Sequence, residues 1–453
     1  MKKLLVIVCL FCPVWVFAQQ GQTGLNGFSF VAPLQISGGE DHGFLVDRTD
    51  PNERLLVLSL PPSVQVGAPN IKPLRLDDNI MVLTLPKMAF QNDSKRHEFL
   101  ATWSPEVELF QHNSDQNALN HQAVGTFTYF FARNLEVSAG DTYKSSRDPA
   151  RTLENVFLLL PRSPYTENDI RANIEFQPNA VTSFGARYDN DHTNFGQTDP
   201  FQSHFLDSIS QGYSFLATRM LSRTQRLRGT YSIFRIAPID HHATGEDQVD
   251  ASYAFERPIH SGILEYRVTP TPGTVLEFTG GVIKMDTGLN YTFTLSGDKR
   301  LGTFWWVGGG YSRALSFQAG SSTAFASGLA SNGFFDVVTL RFKGQPTRRT
   351  AITFATTMSR EVSSPLVNAT EGLMARTRFD YRVSDREVLF ASLENFYQNE
   401  NAYVGTPLSR DRFTVGIQIS LSSETDRRLN HYNEDSQYVA LTDHQRRQST
   451  PQQ

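Results

Sequence analysis

Residues 412–421 of the chain, RFTVGIQISL, alternate strictly between two kinds of side chain. The apolar set is Phe413, Val415, Ile417, Ile419 and Leu421, and the polar or small set is Arg412, Thr414, Gly416, Gln418 and Ser420. A period of two residues is that of a β-strand, whose successive side chains point to opposite faces of the sheet. The stretch therefore predicts a strand with one face suited to hydrocarbon and one suited to water. Its length of about ten residues also suits a strand that crosses a bilayer.

The same alternation recurs through the preceding three hundred or so residues, so the fold class rests on its repetition. In 336–343, for example, Val338, Leu340 and Phe342 alternate with polar neighbours. The alternating segments are separated by short polar turns. These turns are expected at 132–134, 177–179, 222–225, 269–273, 296–299, 344–347 and 383–386. Longer connections lie between them, and short turns alternating with long loops are typical of outer-membrane barrels. A soluble two-layer sandwich is the alternative, since its strands alternate too.

Composition excludes several classes of protein. Only 39% of the 453 residues are hydrophobic, which is too few for a bundle of membrane helices but compatible with a barrel, where only alternate residues meet lipid. The net charge of −4 gives no support for nucleic-acid binding. Thirty-three Phe, 15 Tyr and four Trp are a high aromatic load for a polar chain, and aromatic girdles at the two membrane interfaces would use it.

The N-terminus predicts export. Residues 1–18 have Lys2 and Lys3 before an apolar run and end in Val-Phe-Ala, which is the pattern of a secretory signal peptide, so the mature chain is expected to begin at Gln19. Both cysteines, Cys9 and Cys12, lie in the removed segment. We therefore expect no disulfide, no thiolate metal site and no cysteine nucleophile.

Four segments follow from these patterns. Residues 1–18 are the signal peptide, 19–96 a Pro- and Gly-punctuated periplasmic extension or plug, 97–421 an all-β, single antiparallel transmembrane barrel, and 422–453 a disordered polar periplasmic tail. Sixteen alternating segments can be drawn between residues 98 and 421, so we expect 16 strands in the barrel, an even number, as closure with both ends on the periplasmic side demands. The alternative is 18 strands, if residues 19–96 supply an extra pair.

The chain resembles the Gram-negative outer-membrane porin-like β-barrels, including those encoded beside exopolysaccharide export systems. The resemblance is carried by residues 101–110, ATWSPEVELF, at the opening of the barrel, by the repeated units of turn and strand, and by the closing strand 413–421. It implies a location in the outer membrane and contacts with its lipid and with the barrel-insertion machinery.

The motif search favours no enzyme, cofactor or metal. Asp240, His241 and His242, near Glu246 and Asp247, match no zinc spacing. Residues 189–194 have oxygen ligands at calcium-like density but lack the full loop and its bidentate Glu, so a solvated turn is expected there. No nucleophile elbow or phosphate-binding glycine loop is found.

The candidate functional residues are charged side chains on the face that we assign to the lumen. A charge on the lipid face would be costly, whereas charges inside would form a polar wall suited to hydrophilic solutes or a set of ion pairs that holds the lumen together. The predicted pore-lining residues are Arg187, Arg228, Glu265, Arg267, Glu277, Arg341, Arg376, Arg378, Asp380, Glu394 and Arg412.

Three functions fit this reading. The first is a non-enzymatic channel that passes hydrophilic solutes across the outer membrane. The second is an outer-membrane component of polysaccharide export, with the two terminal segments contacting a periplasmic partner. The third is a plugged structural or adhesive barrel, with recognition by loops such as 146–169 and 192–211.

Overall fold

The computed structural model describes residues 27–30, 33–46, 73–147, 164–195, 207–239, 258–285, 288–315, 334–362, 371–399 and 408–420. These residues form twenty β-strands and one 3₁₀ turn, Ser114–Gln116. The first ten strands are β1 (Gly27–Phe30), β2 (Leu34–Val46), β3 (Pro73–Thr84), β4 (Met88–Asp93), β5 (His97–Phe110), β6 (Ala118–Ala132), β7 (Leu135–Ser146), β8 (Tyr165–Asn179), β9 (Thr182–Phe195) and β10 (Asp207–Ser222). The others are β11 (Gln225–Ile239), β12 (Ile259–Thr271), β13 (Thr274–Met285), β14 (Gly288–Leu301), β15 (Trp305–Leu315), β16 (Phe334–Gly344), β17 (Thr350–Glu361), β18 (Glu371–Arg382), β19 (Glu387–Gln398) and β20 (Leu408–Ile419).

The strands form one antiparallel sheet that closes on itself. From β5 to β20 each strand pairs with the next one in the chain. The last strand, β20, then pairs with β2, from Leu34 opposite Ile419 to His42 opposite Asp411. The ring is completed because β2 pairs with β3, and β3 with β5. A closed sheet leaves no edge strand, so every spanning backbone group can be paired within the wall.

The barrel wall has 18 strands, because two of its strands are each built from two segments. β4 continues the path of β3 along β5, and β1 pairs with β4 as β2 pairs with β3. Both strands break at one level, where Pro86 separates β3 from β4 and Pro33 precedes β2. Pro105 of β5 lies beside the same gap, and its carbonyl accepts a hydrogen bond from Leu85 N at 3.0 Å. Because proline cannot donate to the ladder, buried prolines in three adjacent strands produce a local bulge rather than a continuous pairing.

The expectation of 16 strands was therefore wrong, and the alternative of 18 is confirmed. The extra pair comes from within residues 19–96, in which 27–46 and 73–93 form barrel wall. The alternation of polar and apolar side chains is weak in β2 and β3 because of the residues on their inner faces. β2 contains Gly38 and Gly39, and β3 places Ile80 and Val82 on its inner face, where both are buried. The proposed signal peptide, the start of the mature chain and the tail 422–453 lie outside the described residues.

The two ends of the barrel differ in the length of their connections. At one end, here the short-turn end, successive strands are joined by two to five residues, as at 133–134, 180–181 and 345–349. At the other, the long-loop end, most connections are longer, although 286–287 is short. Long extracellular loops and short periplasmic turns orient the long-loop end toward the cell exterior.

Three of the predicted turns are strand in the structure. Residues 177–179 are the end of β8, and the chain reverses just after them, at 180–181. Residues 296–299 lie within β14, and the chain reverses later, at 302–304, where Gly302 has φ +69°. A left-handed residue is easily supplied by glycine, so Gly302 determines the turn rather than the polar run before it. Residues 189–194 likewise belong to β9, because pairing with β8 and β10 on both sides outweighs their turn propensity.

The outer face of the barrel is apolar. Residues paired in register share one face, and one face carries most of the exposed large hydrophobic side chains, such as Phe215 and Leu264 at 55% and Val415 at 50% exposure. Among the described residues few large hydrophobic side chains are buried, so the usual globular pattern is inverted. No helix among the described residues is long and apolar enough to cross a membrane.

Candidate functional site

The inner face of the wall carries most of the charged side chains. All eleven predicted pore-lining residues fall on the face opposite the exposed hydrophobic side chains, as their partners in register show. Their contact with a passing solute stays a prediction. An antiparallel sheet that closes on itself, with hydrocarbon side chains outside and charges inside, is a transmembrane β-barrel of the bacterial outer membrane.

The most buried charges lie where the first and last strands meet, here called the seam cluster: Asp41, Glu108, Arg410 and Arg412. Arg410 donates two hydrogen bonds to Asp41, Nε to Oδ1 at 3.1 Å and Nη2 to Oδ2 at 2.9 Å. Arg412 Nη2 donates to Glu108 Oε1 at 2.9 Å, and its Nε lies 3.7 Å from Asp41 Oδ2. The side chains of Asp41 and Glu108 are completely buried and that of Arg412 is 4% exposed. Charges that are paired and withdrawn from water serve the wall itself rather than a solute.

From the seam cluster a line of alternating charges follows the register across neighbouring strands. Asp41 lies opposite Arg412, Arg412 opposite Glu394, and Glu394 opposite Arg376. Arg376 Nε lies 3.8 Å from Glu394 Oε1, and the Arg376 side chain is 42% exposed. The line therefore passes from buried, structural charges to charges that remain hydrated.

Arg378, one step closer to the short-turn end, is held on three sides. Its Nε donates to Asp380 Oδ1 at 2.8 Å, its Nη2 donates to Gln418 Oε1 at 2.9 Å, and its guanidinium lies 4.2 Å from the ring centre of Phe390. A cation over an aromatic face adds attraction to the hydrogen bonds. The position of this positive charge on the wall is therefore fixed.

Arg341 reaches a carboxylate two strands away because a glycine lies between them. Arg341 Nη2 donates to Asp298 Oδ1 at 3.2 Å, from β16 to β14 across Gly308 of β15. A Cβ atom at Gly308 would stand 1.9 Å from Asp298 Oδ1. Only glycine leaves room for this pair.

Strands β11 to β13 hold four more of the predicted residues in one group. Glu265 is paired with Arg226, and Arg228 Nη1 lies 3.9 Å from its second oxygen. Arg267 lies opposite both Arg226 and Glu277 in the register. Positive and negative side chains are therefore present in nearly equal numbers in this part of the lumen.

The wall formed by β7, β8 and β9, here the acidic wall, is rich in carboxylates. Its inward side chains include six carboxylates and three basic groups: Glu136, Glu167, Asp169, Glu175, Asp189 and Asp191, with Lys144, Arg171 and Arg187. The basic groups are all paired. Lys144 Nζ donates to Glu167 at 3.1 Å, Arg171 Nε to Asp169 at 3.0 Å and Arg187 Nε to Asp189 at 2.7 Å. Negative charge is left in excess.

The wall formed by β16, β17 and β18, here the basic wall, has the opposite excess. Its described inward side chains include five basic groups and one carboxylate: Arg341, Lys343, Arg376, Arg378 and Arg382, with Asp380. The central strands of the two walls, β8 and β17, are nine strands apart in either direction around the 18-strand ring. The acidic and basic walls therefore face each other across the lumen.

Sequence reasoning missed several of these side chains, and in some cases a signal was present. Glu108 alternates with Val107 and Leu109, which marks it as inward, but it was not selected. Asp298 was assigned to a turn that the structure moves to 302–304, and Asp41 to a segment outside the barrel. The group 240–247 lies outside the described residues. Among the residues that the structure describes, no three side chains are grouped to hold a metal.

The long-loop end of the barrel contains a cluster of buried apolar side chains. Ile259, Ile283, Met285 and Phe334 form one buried cluster, joined by the partly buried Phe234. Buried hydrocarbon on the inner side of this end means that the mouth is not simply a ring of charges.

No protein-family model matches the chain, and no curated protein matches it in sequence. Among solved structures, Pseudomonas aeruginosa OccK2 (OpdF) in complex with glucuronate is 9% identical, with 87% of this chain and 100% of that chain covered and a TM-score of 0.45. A BenF-like porin from Pseudomonas fluorescens Pf-5 is 11% identical, with 87% and 100% covered and a TM-score of 0.42. The siderophore receptor PirA from Pseudomonas aeruginosa is 10% identical, with 86% and 81% covered and a TM-score of 0.35. Scores this low carry no weight for function, and the barrel is established by its own strand pairing.

Proposed function

We propose that the protein is an outer-membrane channel through which hydrophilic solutes diffuse passively and without chemical change. The observation that carries the proposal is the opposition of the acidic wall and the basic wall inside a closed barrel. Barrels of 16 to 18 strands are wide enough to leave an aqueous channel. Opposed charges of this kind create a field directed across the pore.

Exposure separates the charges that serve the solute from those that serve the wall. In the basic wall the Arg341 and Arg376 side chains are 56% and 42% exposed, so both remain hydrated beside their carboxylate partners. In the seam cluster, by contrast, Asp41 and Glu108 have no exposed side-chain surface. Hydrated charges can exchange water for a solute at small cost, whereas buried pairs cannot. The solutes best suited to this lumen are small and zwitterionic, since each end of such a molecule would meet its complementary wall.

Planar-bilayer conductance tests the proposal. We expect the purified protein to give ohmic steps without added partners. R376E/R378E should shift the permeability ratio toward cations, and D169N/D189N should shift it toward anions, because each removes part of one wall. R360E is the matched control, since Arg360 is exposed on the outer face. Steps whose ion selectivity is the same in all four proteins would contradict the proposal.

A plugged structural or adhesive barrel is the second candidate, and the apolar cluster at the long-loop end favours it. Buried Ile259, Ile283 and Phe334 are the kind of contacts that a filled mouth would make. Complete electrical silence of a folded barrel would support this candidate. The expected recognition loops lie mostly outside the described residues, and the described parts, 146–147, 164–169, 192–195 and 207–211, are almost entirely strand.

Polysaccharide export and its periplasmic partner remain a hypothesis that no feature among the described residues favours. It predicts loss of surface polysaccharide when the gene is deleted. The conductance of the purified protein is a separate measurement that does not test this hypothesis. Contact with the barrel-insertion machinery is likewise a proposal, and it follows from the general need of outer-membrane barrels to be inserted.

A further inference from the structure

The outer face of β11, β12 and β13 contains a groove in the lipid-facing wall. Gly229, Gly262 and Gly280 lie on this face in adjacent strands, and a Cβ atom at any of them would meet nothing within 4 Å. The resulting depression has a volume of about 710 Å³ and is bordered by Phe215 and Leu264. An open groove in the hydrocarbon-facing surface has the dimensions and chemistry to hold an acyl chain.

Basic side chains stand at the upper end of this groove, toward the long-loop end. His260 and Lys284 lie opposite each other on the outer face, two residues beyond Gly262 and Val282, and Arg235 lies on the outer face of the next strand. Two residues of strand span about 7 Å. His260 Nδ1 is 2.8 Å from Tyr231 Oη, which orients the imidazole above the groove. Basic side chains therefore lie about one lipid-headgroup length above a slot for hydrocarbon.

The positive charge of this rim is confined to one side of the barrel. On the outer face of β11 to β14, no side chain that the structure describes is a carboxylate, and the nearest acidic position in the register is Asp207 at the start of β10. On the opposite side of the barrel, nine strands away, the outer rim is acidic. There Glu40 and Asp77 flank His42, at 3.4 Å and 2.9 Å, and Asp411 lies opposite it. An anionic headgroup would be attracted to the first rim and repelled by the second.

We propose that the groove and its basic rim form a binding site for one anionic lipid, with an acyl chain over Gly229, Gly262 and Gly280 and a phosphate-bearing headgroup on Arg235, His260 and Lys284. Charge complementarity at the rim and the position of the groove in the lipid-facing wall select this occupant. The site is independent of solute passage, because every residue in it lies on the outer face.

Native mass spectrometry of the full chain in detergent tests the site, by titration with phosphatidylglycerol and with phosphatidylcholine of the same acyl chains. We expect a preference for phosphatidylglycerol. Each basic residue near a membrane surface contributes about fivefold to such attraction. R235Q/K284Q should therefore reduce the preference about 25-fold, whereas R360Q, at an outer rim position on β17, should leave it unchanged.

The groove is tested separately by filling it. G262L places a side chain in the open space and should weaken the binding of both lipids. G125L is the matched control, because a Cβ atom at Gly125, on the outer face of β6, also meets nothing within 4 Å. An equal loss in R360Q and R235Q/K284Q would overturn the proposal, as would unchanged binding in G262L. Conductance of each variant reports the channel independently, so failure of this site leaves the proposed function standing.

Discussion

Removing the Arg412 charge should destabilise the barrel far more than removing the Arg376 charge, although the two arginines lie on one register line. R412M keeps the length of the side chain and deletes its guanidinium. Glu108 then loses a charge-assisted hydrogen bond of 2.9 Å in a site where neither partner is exposed by more than 4%. Breaking a buried ion pair on one side costs about 3–5 kcal/mol. We expect a value near 3 kcal/mol, because Asp41 keeps its two bonds from Arg410.

R376M is the matched control. Arg376 lies 3.8 Å from Glu394, and both side chains are well exposed, at 42% and 31%. Exposed pairs at such distances contribute about 0–1 kcal/mol. The measurement is urea unfolding of the barrel in lipid vesicles, followed by tryptophan fluorescence and by the mobility shift of the folded barrel on gels.

A second substitution separates lost attraction from stranded charge. In R412M/E108Q the carboxylate that lost its bond from Arg412 becomes neutral, so the double variant should be more stable than R412M alone. If R412M lost no more stability than R376M, the seam cluster would not stabilise closure and the reasoning from burial would be refuted.

Two further substitutions test the faces of the wall. L264R places a charge on the lipid-facing side of the middle of β12, where Leu264 is 55% exposed, and should cost about 2–4 kcal/mol in vesicle unfolding. G308V puts a side chain where Asp298 Oδ1 would be 1.9 Å from its Cβ atom, so the bond from Arg341 should break. The freed Arg341 charge should raise anion permeability, with a stability cost from the lost pair of only about 1 kcal/mol, because the pair is exposed.

Each of these two changes has a control in the same sheet. T279R adds the same charge beside Glu265 on the inner face, and it should be tolerated where L264R is not. G125V adds the same side chain as G308V at an outer glycine with open space around it, and it should leave ion selectivity unchanged. Equal costs for L264R and T279R would show that the assignment of faces is wrong.

The fold class was predictable because alternation depends only on which face of a strand meets lipid. Residues 412–419 of the closing strand and 338–343 of β16 show this pattern directly, since charged and apolar side chains there occupy opposite faces. The number of strands was not predictable by the same rule. In β2 and β3 the inner face carries Gly39, Ile80 and Val82 beside the buried Asp41 and Asp78, and so many small or apolar inward side chains weaken the contrast on which the pattern depends.

The sequence predicts which face of the wall each charged side chain occupies, but not which partner it contacts. A regular strand fixes the side to which Arg341 or Glu394 points, so the face could be read from neighbouring residues. What each charge pairs with depends on strands far away in the chain. The bond from Arg412 to Glu108 joins residues 304 positions apart, and that from Arg341 to Asp298 depends on a glycine in a third strand. No local pattern contains such information.

The pairing of β2 with β20 has a consequence for biogenesis. Arg410 and Asp41 are separated by 369 positions. The chain entropy that is lost when they are brought together is therefore offset by few local contacts. The hairpins from β5 to β19 can form one after another as the chain is delivered. The backbone groups of β2 that pair with β20, in contrast, stay unpaired until the last strand is in place. Whatever holds the nascent sheet open during that interval must shield the edge of β2 from Leu34 to His42. The barrel would be released from that factor when one pair of strands, β2 and β20, has formed its hydrogen bonds.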